Sequence, residues 1–326
     1  MVRARVVNVT LALAPLLAAV ALAAPPVGQD QQSRAAAAPA ARPFEAMMPR
    51  LAATAPGTYL VDKTTFVPVP DAGRIPVMLQ ADVIRGPERA ARVGIVVGAD
   101  ATQAVDVRLR VSTVAAGREA ARVVAEADGS GTAGPMRLVR EFSLAPGDYD
   151  LEAIVGHPAP GAGLIAAVAK SRLTVPDIRG GSLAVTPIVA GEASASARQA
   201  DLPFIFGQTT LTPAVSPRFS QDGSISVAFR VYNWTAKDEE KPDLTVEYLF
   251  YEQGARGLHF FNKVKSQQLT ADTLGTAFDP SAGSVAAGMM IPMAPFTFGE
   301  FQMVVKVTDN RNQQSAEQRI RFTVAP

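Results

Sequence analysis

Polar and apolar residues alternate along much of this chain, most clearly in the stretch 104–113. The apolar side chains there alternate with charged ones, in the order Val105, Asp106, Val107, Arg108, Leu109, Arg110, Val111. A period of two places successive side chains on opposite faces of an extended chain. This stretch therefore predicts a β-strand with one buried and one solvated face.

Similar short stretches recur along the chain, separated by turn signals rich in Gly and Pro. They are 75–84, 92–99, 118–127, 136–144, 149–155, 170–175, 224–233, 244–252, 258–269, 298–309 and 318–324. Of these, 118–127 also fits a helix, but its neighbours favour a strand. Short strands without alternating long helices are typical of β-sandwiches. The sequence predicts an all-β fold with two tandem immunoglobulin- or fibronectin-like sandwich domains.

A repeated phrase supports the tandem arrangement. The stretch 144–155 aligns without gaps on 296–307, so that Gly147 falls on Gly299 and Tyr149 falls on Phe301. The closing stretches "RLTV" (172–175) and "RFTV" (321–324) also correspond. We therefore expect one hairpin of this kind in each half, with an aromatic core anchor at its start. The alternatives are two hairpins of a single core, or chance convergence of strand-like composition.

These patterns divide the chain into four parts. Residues 1–23 have two arginines, an apolar run and small residues before Ala24, which is the layout of a secretory signal peptide. The alternative is an uncleaved anchor helix, although the apolar run is short for one. We expect a flexible Ala/Pro-rich tether at 24–57, a first sandwich domain at 58–177 and a second at 178–326. The protein is then exported, to the periplasm or outside the cell.

The amino-acid composition excludes several classes of ligand and of reaction. The chain has 31 Lys and Arg against 30 Asp and Glu, which gives no electrostatic signature for nucleic acid or anionic lipid. It has no Cys, which excludes disulfides and thiolate sites. No hydrolase elbow or metalloprotease helix accompanies its two histidines, His157 and His259. The sequence predicts no enzyme, no cofactor and no metal. The alternatives are a two-histidine zinc site and a Ca²⁺ site in the acidic loop 236–243.

Two segments carry a resemblance to a known family. "LAPGDYDLEAIV" (144–155) and "KSRLTVPDIRGGSLAVTPIVAG" (170–191) resemble the C-terminal β-rich region of exported bacterial proteins related to the von Willebrand factor A family. Similar segments occur in exported proteins whose domain is named after a Gly-Trp-x-Thr-Asp motif. The resemblance covers about 104–191 well and 300–324 more loosely. It implies immunoglobulin-like or fibronectin-like sandwiches and no catalytic residues, because the matching motifs are turns and core positions.

The chain also departs from that family. No room exists for an A-type domain ahead of residue 58, and the Gly-Trp-x-Thr-Asp motif is absent, since the single Trp234 lies in "YNWTAKD". The one trace of the A-type metal motif is 128–132, where Gly134 and Pro135 disfavour the helix that such a site needs. We expect a loop there.

Aromatic residues concentrate between 232 and 261. Strand alternation places Tyr248 and Phe250 on one face and Tyr251 on the other. Exposed aromatics on a sheet are typical of binding surfaces. The candidate binding face consists of Trp234, Tyr248, Phe250, Tyr251, His259 and Phe261. The alternative is that this cluster is buried core, as we also expect for the methionine-rich stretch 288–296.

Together these patterns favour a non-catalytic module of the cell envelope or of the secreted fraction. It binds a protein or glycan partner, through an edge strand or an aromatic sheet face, or acts as a structural spacer. The alternative is a carbohydrate-active enzyme on a β-sandwich scaffold, either carboxylate-based or metal-dependent.

Overall fold

The chain folds almost entirely as β-structure. A computed structural model describes residues 43–61, 65–70, 73–88, 90–114, 121–159, 163–196, 202–235, 242–275, 278 and 283–326. Within these ranges the helices are α1 (Pro43–Ala52) and the four-residue α2 (Ala271–Leu274), and the other regular elements are strands. The predicted all-β class is confirmed. Neither helix has the length and apolar character needed to cross a membrane.

Two sheets form the first half. Their strands are β1 (Gly57–Val61), β2 (Phe66–Pro68), β3 (Val77–Arg85), β4 (Ala91–Ala101), β5 (Val105–Thr113), β6 (Val123–Gly131), β7 (Gly134–Leu144), β8 (Gly147–Ala159) and β9 (Gly163–Val175). Outer sheet 1 has the order β2-β1-β9-β8-β5-β6, and inner sheet 1 has the order β3-β4-β7. All of these pairings are antiparallel.

One apolar core lies between these two sheets. The predicted alternation in β5 is observed, because Val107 and Leu109 are buried while Arg108 and Arg110 are half-buried on the other face. The core side chains of β5 meet those of β4, such as Val93. This first core is therefore filled from both sheets, as expected for a pair of antiparallel sheets packed face to face.

Two further sheets form the second half. Their strands are β10 (Ala184–Val185), β11 (Val189–Ala195), β12 (Ile205–Phe206), β13 (Thr209–Pro213), β14 (Arg218–Ser220), β15 (Ser224–Tyr232), β16 (Asp243–Gly254), β17 (Gly257–Lys263), β18 (Gln267–Thr270), β19 (Val285–Pro292), β20 (Gly299–Asp309) and β21 (Ser315–Ala325). Inner sheet 2 has the order β10-β15-β11-β13-β12, with β19 also paired to β15. Outer sheet 2 has the order β14-β21-β20-β16-β17, with β18 also paired to β16.

The second core is more aromatic than the first. Phe301 packs in it against Phe296, Phe261 and Phe322, with ring centroids 5.1, 5.2 and 5.8 Å away. The predicted hairpins close both halves. Tyr149 pairs with Leu173 between β8 and β9, and Phe301 pairs with Phe322 between β20 and β21. Both predicted core anchors are buried, with 7% of Tyr149 and 1% of Phe301 exposed.

The turn glycines of the two hairpins also match in conformation. Gly147 has φ 151° and Gly299 has φ 153°. Both angles lie in the region of positive φ that side chains other than glycine rarely adopt. This local requirement explains why a glycine stands at the start of each hairpin.

The two sheet pairs stand back to back, because the inner sheets contact each other. Val96 of β4 shares an apolar cluster with residues of the second half, namely Val189, Phe204, Phe206, Leu211 and Ala228. The glycines on either side of Val96 permit this close approach. A Cβ at Gly94 would stand 2.4 Å from Pro203, and one at Gly98 would stand 2.5 Å from Val215.

A buried ion pair crosses the same contact. Arg230 of β15 reaches Asp82 of β3 at 3.2 Å, and the two side chains are 5% and 0% exposed. The Asp82 carboxylate also accepts a hydrogen bond from the backbone N–H of Phe204 at 2.8 Å. Arg230 donates further to the carbonyls of Leu202 and Ile205. The polar atoms buried here thus have partners from both halves, as buried charges require.

The join between the halves is also held in place. Ile178 is buried, and Asn233 donates to the carbonyls of Asp177 and Ser182 at 2.8 and 3.0 Å. Arg179 donates to the carbonyl of Gly86 at 2.6 Å. The chain passes from β9 to β10 as a hydrogen-bonded connection across the contact between the inner sheets.

Two sequence expectations need correction. The stretch 128–132, expected as a loop, lies mostly in β6, because Asp128 to Gly131 pair with β5. Part of the predicted tether forms α1, whose Met48 and Leu51 pack on Ile154 of outer sheet 1. The predicted signal peptide and residues 24–42 of the tether lie outside the described residues.

Candidate binding face

The residues predicted as a binding face do not share one surface. Tyr248 and Phe250 are each 1% exposed and lie in the second core. Phe261 and Trp234 are partly buried against the same core. The alternative of buried core, which the sequence left open, therefore describes these four residues, and only Tyr251 and His259 remain toward solvent.

A β-bulge explains how neighbouring aromatics separate. The pairing of β16 with β17 shifts between Phe250 and Tyr251, so that Phe261 has no direct partner in β16. Phe261 packs into the core against Phe296, at a ring distance of 5.3 Å. Phe260 pairs instead with Tyr251 and is 55% exposed. Strand alternation alone could not predict this, because a bulge changes which side chains share a face.

Tyr251 and Phe260 begin a row that crosses outer sheet 2. Their rings make an edge-to-face contact, with centroids 5.9 Å apart and planes at 82°. The row continues to Gln302 on β20 and Arg321 on β21, which are successive partners in the sheet. Arg321 Nε donates to Gln302 Oε1 at 3.4 Å. We call Phe260, Tyr251, Gln302 and Arg321, with the adjacent Lys263, the aromatic face.

The loop before β20 and the turn between β16 and β17 continue this surface; we call this end of the second half the tip. Glu252 accepts a hydrogen bond from Thr297 Oγ1 at 3.0 Å, and its other oxygen lies 3.3 Å from His259 Nε2. These two contacts hold the loop before β20 beside the hairpin of β16 and β17. The loop carries Phe298, which is 57% exposed, and the hairpin carries Leu258, which is 40% exposed. Exposed apolar groups therefore extend from the aromatic face to the tip.

The cations of the aromatic face lack acidic partners. Neither Lys263 nor Arg321 lies within 4.0 Å of a carboxylate among the described residues. The ion pairs found there involve other cations: Arg92–Glu141, Arg108–Asp128, Arg110–Glu126, Arg110–Glu152, Lys170–Glu152, Arg172–Asp150, Arg230–Asp82, His259–Glu252 and Arg319–Glu317. An exposed cation without an ion pair offers its hydrogen-bond donors to a ligand without first breaking one.

Sequence reasoning left several members out of the candidate face. Phe260 was part of the aromatic cluster, but the bulge that exposes it has no sequence signal. Gln302 and Arg321 join Tyr251 only through strand pairing, which a single sequence does not give. Phe298 precedes the turn glycine Gly299, and that position was the one available hint of exposure.

The two histidines are not brought into a metal site. His157 is buried, and its Nδ1 lies 3.0 Å from the carbonyl of Pro158, while His259 contacts Glu252. The described residues contain no group of three or more His, Cys, Asp or Glu that could hold a metal ion. Most of the acidic loop 236–243 lies outside the described residues, so the Ca²⁺ alternative there stays a hypothesis.

The perturbed titrating groups are core tyrosines. Burial raises the pKa of the Tyr248 hydroxyl, which donates to Gln267 Oε1 at 2.9 Å. Burial also raises the pKa of Tyr149, against the opposing effect of its hydrogen bond to the carbonyl of Ala145. Both shifts move the pKa of the hydroxyl further above neutral pH, so these groups stay protonated and act as hydrogen-bond donors.

A cleft of about 630 Å³ lies elsewhere, between β1, β9 and the segment before β14. Its lining includes the basic residues Arg74, Lys170 and Arg218. Two of these have partners of their own, since Arg74 donates to the carbonyl of Val69 and Lys170 to that of Ala52. The aromatic face is the stronger candidate, because it combines exposed rings with unpaired cations.

Comparison with known proteins adds little. No family model matches the chain, and no curated protein matches it. Among solved structures the chain is similar to red sea bream transglutaminase at 12% identity, over 76% of this chain and 31% of that chain, with a TM-score of 0.19. At so low a TM-score this likeness carries no conclusion about fold or activity.

Proposed function

We propose that this chain is an exported, non-catalytic module of the cell envelope or secreted fraction, and that the aromatic face binds its partner, a protein or a glycan. The observation that carries this proposal is the exposure of Phe260, 55% exposed, in edge-to-face contact with Tyr251 on the outer face of outer sheet 2. Exposed aromatic patches rimmed by polar groups are characteristic of interaction sites.

We also propose that the two sheet pairs are tandem immunoglobulin- or fibronectin-like domains. Each pair supplies most of one apolar core, although Ala184 and Tyr232 of the second half join the first core and Met78 of the first half joins the second. Each pair is closed by the same glycine-led hairpin. The matching backbone conformation of Gly147 and Gly299 supports a duplicated unit. The proposed boundary at 177/178 falls in the connection between β9 and β10.

A spacer role has independent support and is compatible with binding. The inner sheets are in contact through Val96, its flanking glycines and the Asp82–Arg230 pair. A spacer needs a fixed angle between its parts, and buried polar partners that must match across a contact favour one arrangement. The module then presents the aromatic face at one end of four stacked sheets.

Capture from envelope extract tests the binding function. The full chain without residues 1–23 is immobilised as wild type, as the double variant Tyr251→Ala, Phe260→Ala, and as Val139→Ala. Val139 is a matched control, because it is 47% exposed but lies on β7, away from the aromatic face. We expect one set of partners on wild type and Val139→Ala, and its loss from the double variant. Equal capture by all three proteins would overturn the proposal.

A further inference from the structure

We propose that the aromatic face takes a polysaccharide that bears carboxylate groups. This inference rests on the proposed binding function of the same face and names the class of its ligand. It is carried by three observations: the linear order of the side chains, the two unpaired cations, and the contrast with the other outer sheet.

The shape of the row suits an extended sugar chain. Phe260, Tyr251, Gln302 and Arg321 lie on four adjacent strands, so the row is about 14 Å long at the usual strand spacing of about 4.8 Å. Sugar rings have an apolar face of C–H groups that packs on an aromatic ring, and hydroxyl groups at the rim. Rings at one end of the row and the exposed Arg321 guanidinium at the other match both parts of such a chain, and Gln302, only 9% exposed, lies between them and accepts from Arg321.

The two unpaired cations indicate an acidic ligand. Arg321 uses Nε for Gln302, which leaves its terminal N–H groups available. A guanidinium binds a carboxylate through two parallel hydrogen bonds, and such charge-assisted bonds are the strong ones. Lys263 pairs with Leu249 in the neighbouring row and adds a second positive charge beside the aromatic rings. A neutral glycan would use neither charge.

Acidic residues border the face but do not neutralise it. Glu300 lies two residues from Gln302 along β20, which is about 7 Å in a strand. Glu247 lies four residues from Tyr251 along β16, on the opposite side of the row. Carboxylates of a bound chain are therefore expected over Lys263 and Arg321, with uncharged hydroxyls toward Glu300.

The other outer sheet shows that this pattern is not general for the chain. Arg172 is the position equivalent to Arg321 in the repeated hairpin, and it lies 3.2 Å from Asp150. The position equivalent to Asp150 in the second half is Gln302, which carries no charge. The second half thus keeps the arginine and lacks its acid, which makes the arginine available to an external carboxylate.

Single-stranded nucleic acid also combines stacking bases with negative charge. The chain as a whole is nearly neutral, with a formal net charge of +1, and proteins that track a phosphate backbone are more basic. We therefore treat nucleic acid as an outcome that the experiment must exclude.

Affinity electrophoresis provides the test. The full chain without residues 1–23 is run through gels that contain polygalacturonate, dextran or single-stranded DNA. The variants are Phe260→Ala, Arg321→Gln and the matched control Arg172→Gln, each checked for native circular dichroism. We expect polygalacturonate to retard wild type and Arg172→Gln. Arg321→Gln should weaken binding by about tenfold or more, as for the loss of a charge-assisted hydrogen bond. Phe260→Ala should lose most of the retardation.

The other outcomes separate this inference from the proposed function. Equal retardation by dextran, with no effect of Arg321→Gln, would overturn the acidic ligand but leave a glycan-binding face. Retardation by DNA alone would overturn the ligand class. No retardation in any gel, together with face-dependent capture of a protein from envelope extract, would overturn the glycan and leave the binding function. Failure of both experiments would overturn both proposals.

Discussion

The outer faces of the two outer sheets are built on the same hairpin and differ in surface chemistry. On outer sheet 1, cross-strand ion pairs join neighbouring strands among the described residues; they are Arg108–Asp128, Arg110–Glu126, Arg110–Glu152, Lys170–Glu152 and Arg172–Asp150. Its apolar patch around Ile154 is covered by α1. On outer sheet 2, Tyr251 and Phe260 remain partly or largely exposed, and none of the apolar clusters among the described residues includes them.

The contrast between the two outer faces indicates which of them is available for binding. Arginines that already face carboxylates cost an acidic ligand the displacement of those carboxylates or repulsion from them. A surface with exposed rings and unpaired cations has no such cost. The repeat therefore supplies two similar scaffolds, of which the second carries the proposed site.

The largest effect is expected at the start of the hairpins. Phe301→Ala removes a ring packed against three other phenylalanines and should lower the free energy of unfolding by about 3–5 kcal/mol. Tyr149→Ala should cost less, because Tyr149 is more exposed and its hydroxyl bonds only to Ala145. Denaturant unfolding of both variants measures this. A greater cost for Tyr149→Ala would mean that the first hairpin is the more tightly packed one.

Asp82→Ala tests whether the two regions depend on each other. It leaves Arg230 buried without its carboxylate, which should cost about 3–5 kcal/mol. The matched control is Asp150→Ala, which breaks an exposed pair and should cost under about 1 kcal/mol.

The single Trp234 makes the same variant informative about coupling, because its fluorescence reports the second half while circular dichroism reports both. We expect the two signals to coincide for wild type and to separate for Asp82→Ala. Separate transitions in wild type would show that the sheet pairs already unfold independently.

Alkaline pH should weaken the second core more than the first, because the pKa of Tyr248 is raised further than that of Tyr149. Burial raises the pKa of Tyr248 above its ordinary value of 10.0, so the folded state keeps this proton where the unfolded state loses it. The stabilisation is fully present below pH 10 and is lost above it, at up to about 1.4 kcal/mol per pH unit. Tyr248→Phe should flatten this dependence, and should cost about 1 kcal/mol at neutral pH because Gln267 loses its donor. If the free energy of unfolding of Tyr248→Phe falls with pH above 10 as steeply as that of wild type, the assignment to Tyr248 is wrong.

The smallest effects on stability are expected at the surface. Arg110→Gln breaks ion pairs on outer sheet 1 and should cost between zero and about 1 kcal/mol. Arg321→Gln removes an arginine that has no acidic partner among the described residues and one long hydrogen bond to Gln302, and should cost no more than Arg110→Gln. Thermal unfolding compares the two. A clear loss of stability in Arg321→Gln would point to a structural role for this arginine.

Much of the fold follows from local patterns in the sequence. The alternation in 104–113 predicts β5, and the match of Gly147 with Gly299 predicts the two hairpins. The run 92–99 shows no clean alternation, because β4 is buried on both faces, by the first core and by inner sheet 2.

The contact between the halves and the candidate face were harder to predict from the sequence. Asp82 and Arg230 resemble solvent-facing residues of half-buried strands, and only the back-to-back packing of the inner sheets buries them. The bulge at Phe250 and Tyr251 reverses the expected order of exposure for Phe260 and Phe261. Both features depend on contacts between distant parts of the chain, which local periodicity does not record.

Hydroxyl-radical footprinting of the full chain, with and without envelope extract or polygalacturonate, would locate the binding face on the molecule itself. Its readout is the oxidation of individual aromatic side chains. We expect Tyr251, Phe260 and Phe298 to become protected, while Tyr59 and Phe66 of outer sheet 1 react as before. Protection of Tyr59 and Phe66 with no change at Phe260 would contradict this expectation, because the partner would then bind the face whose charges are already paired.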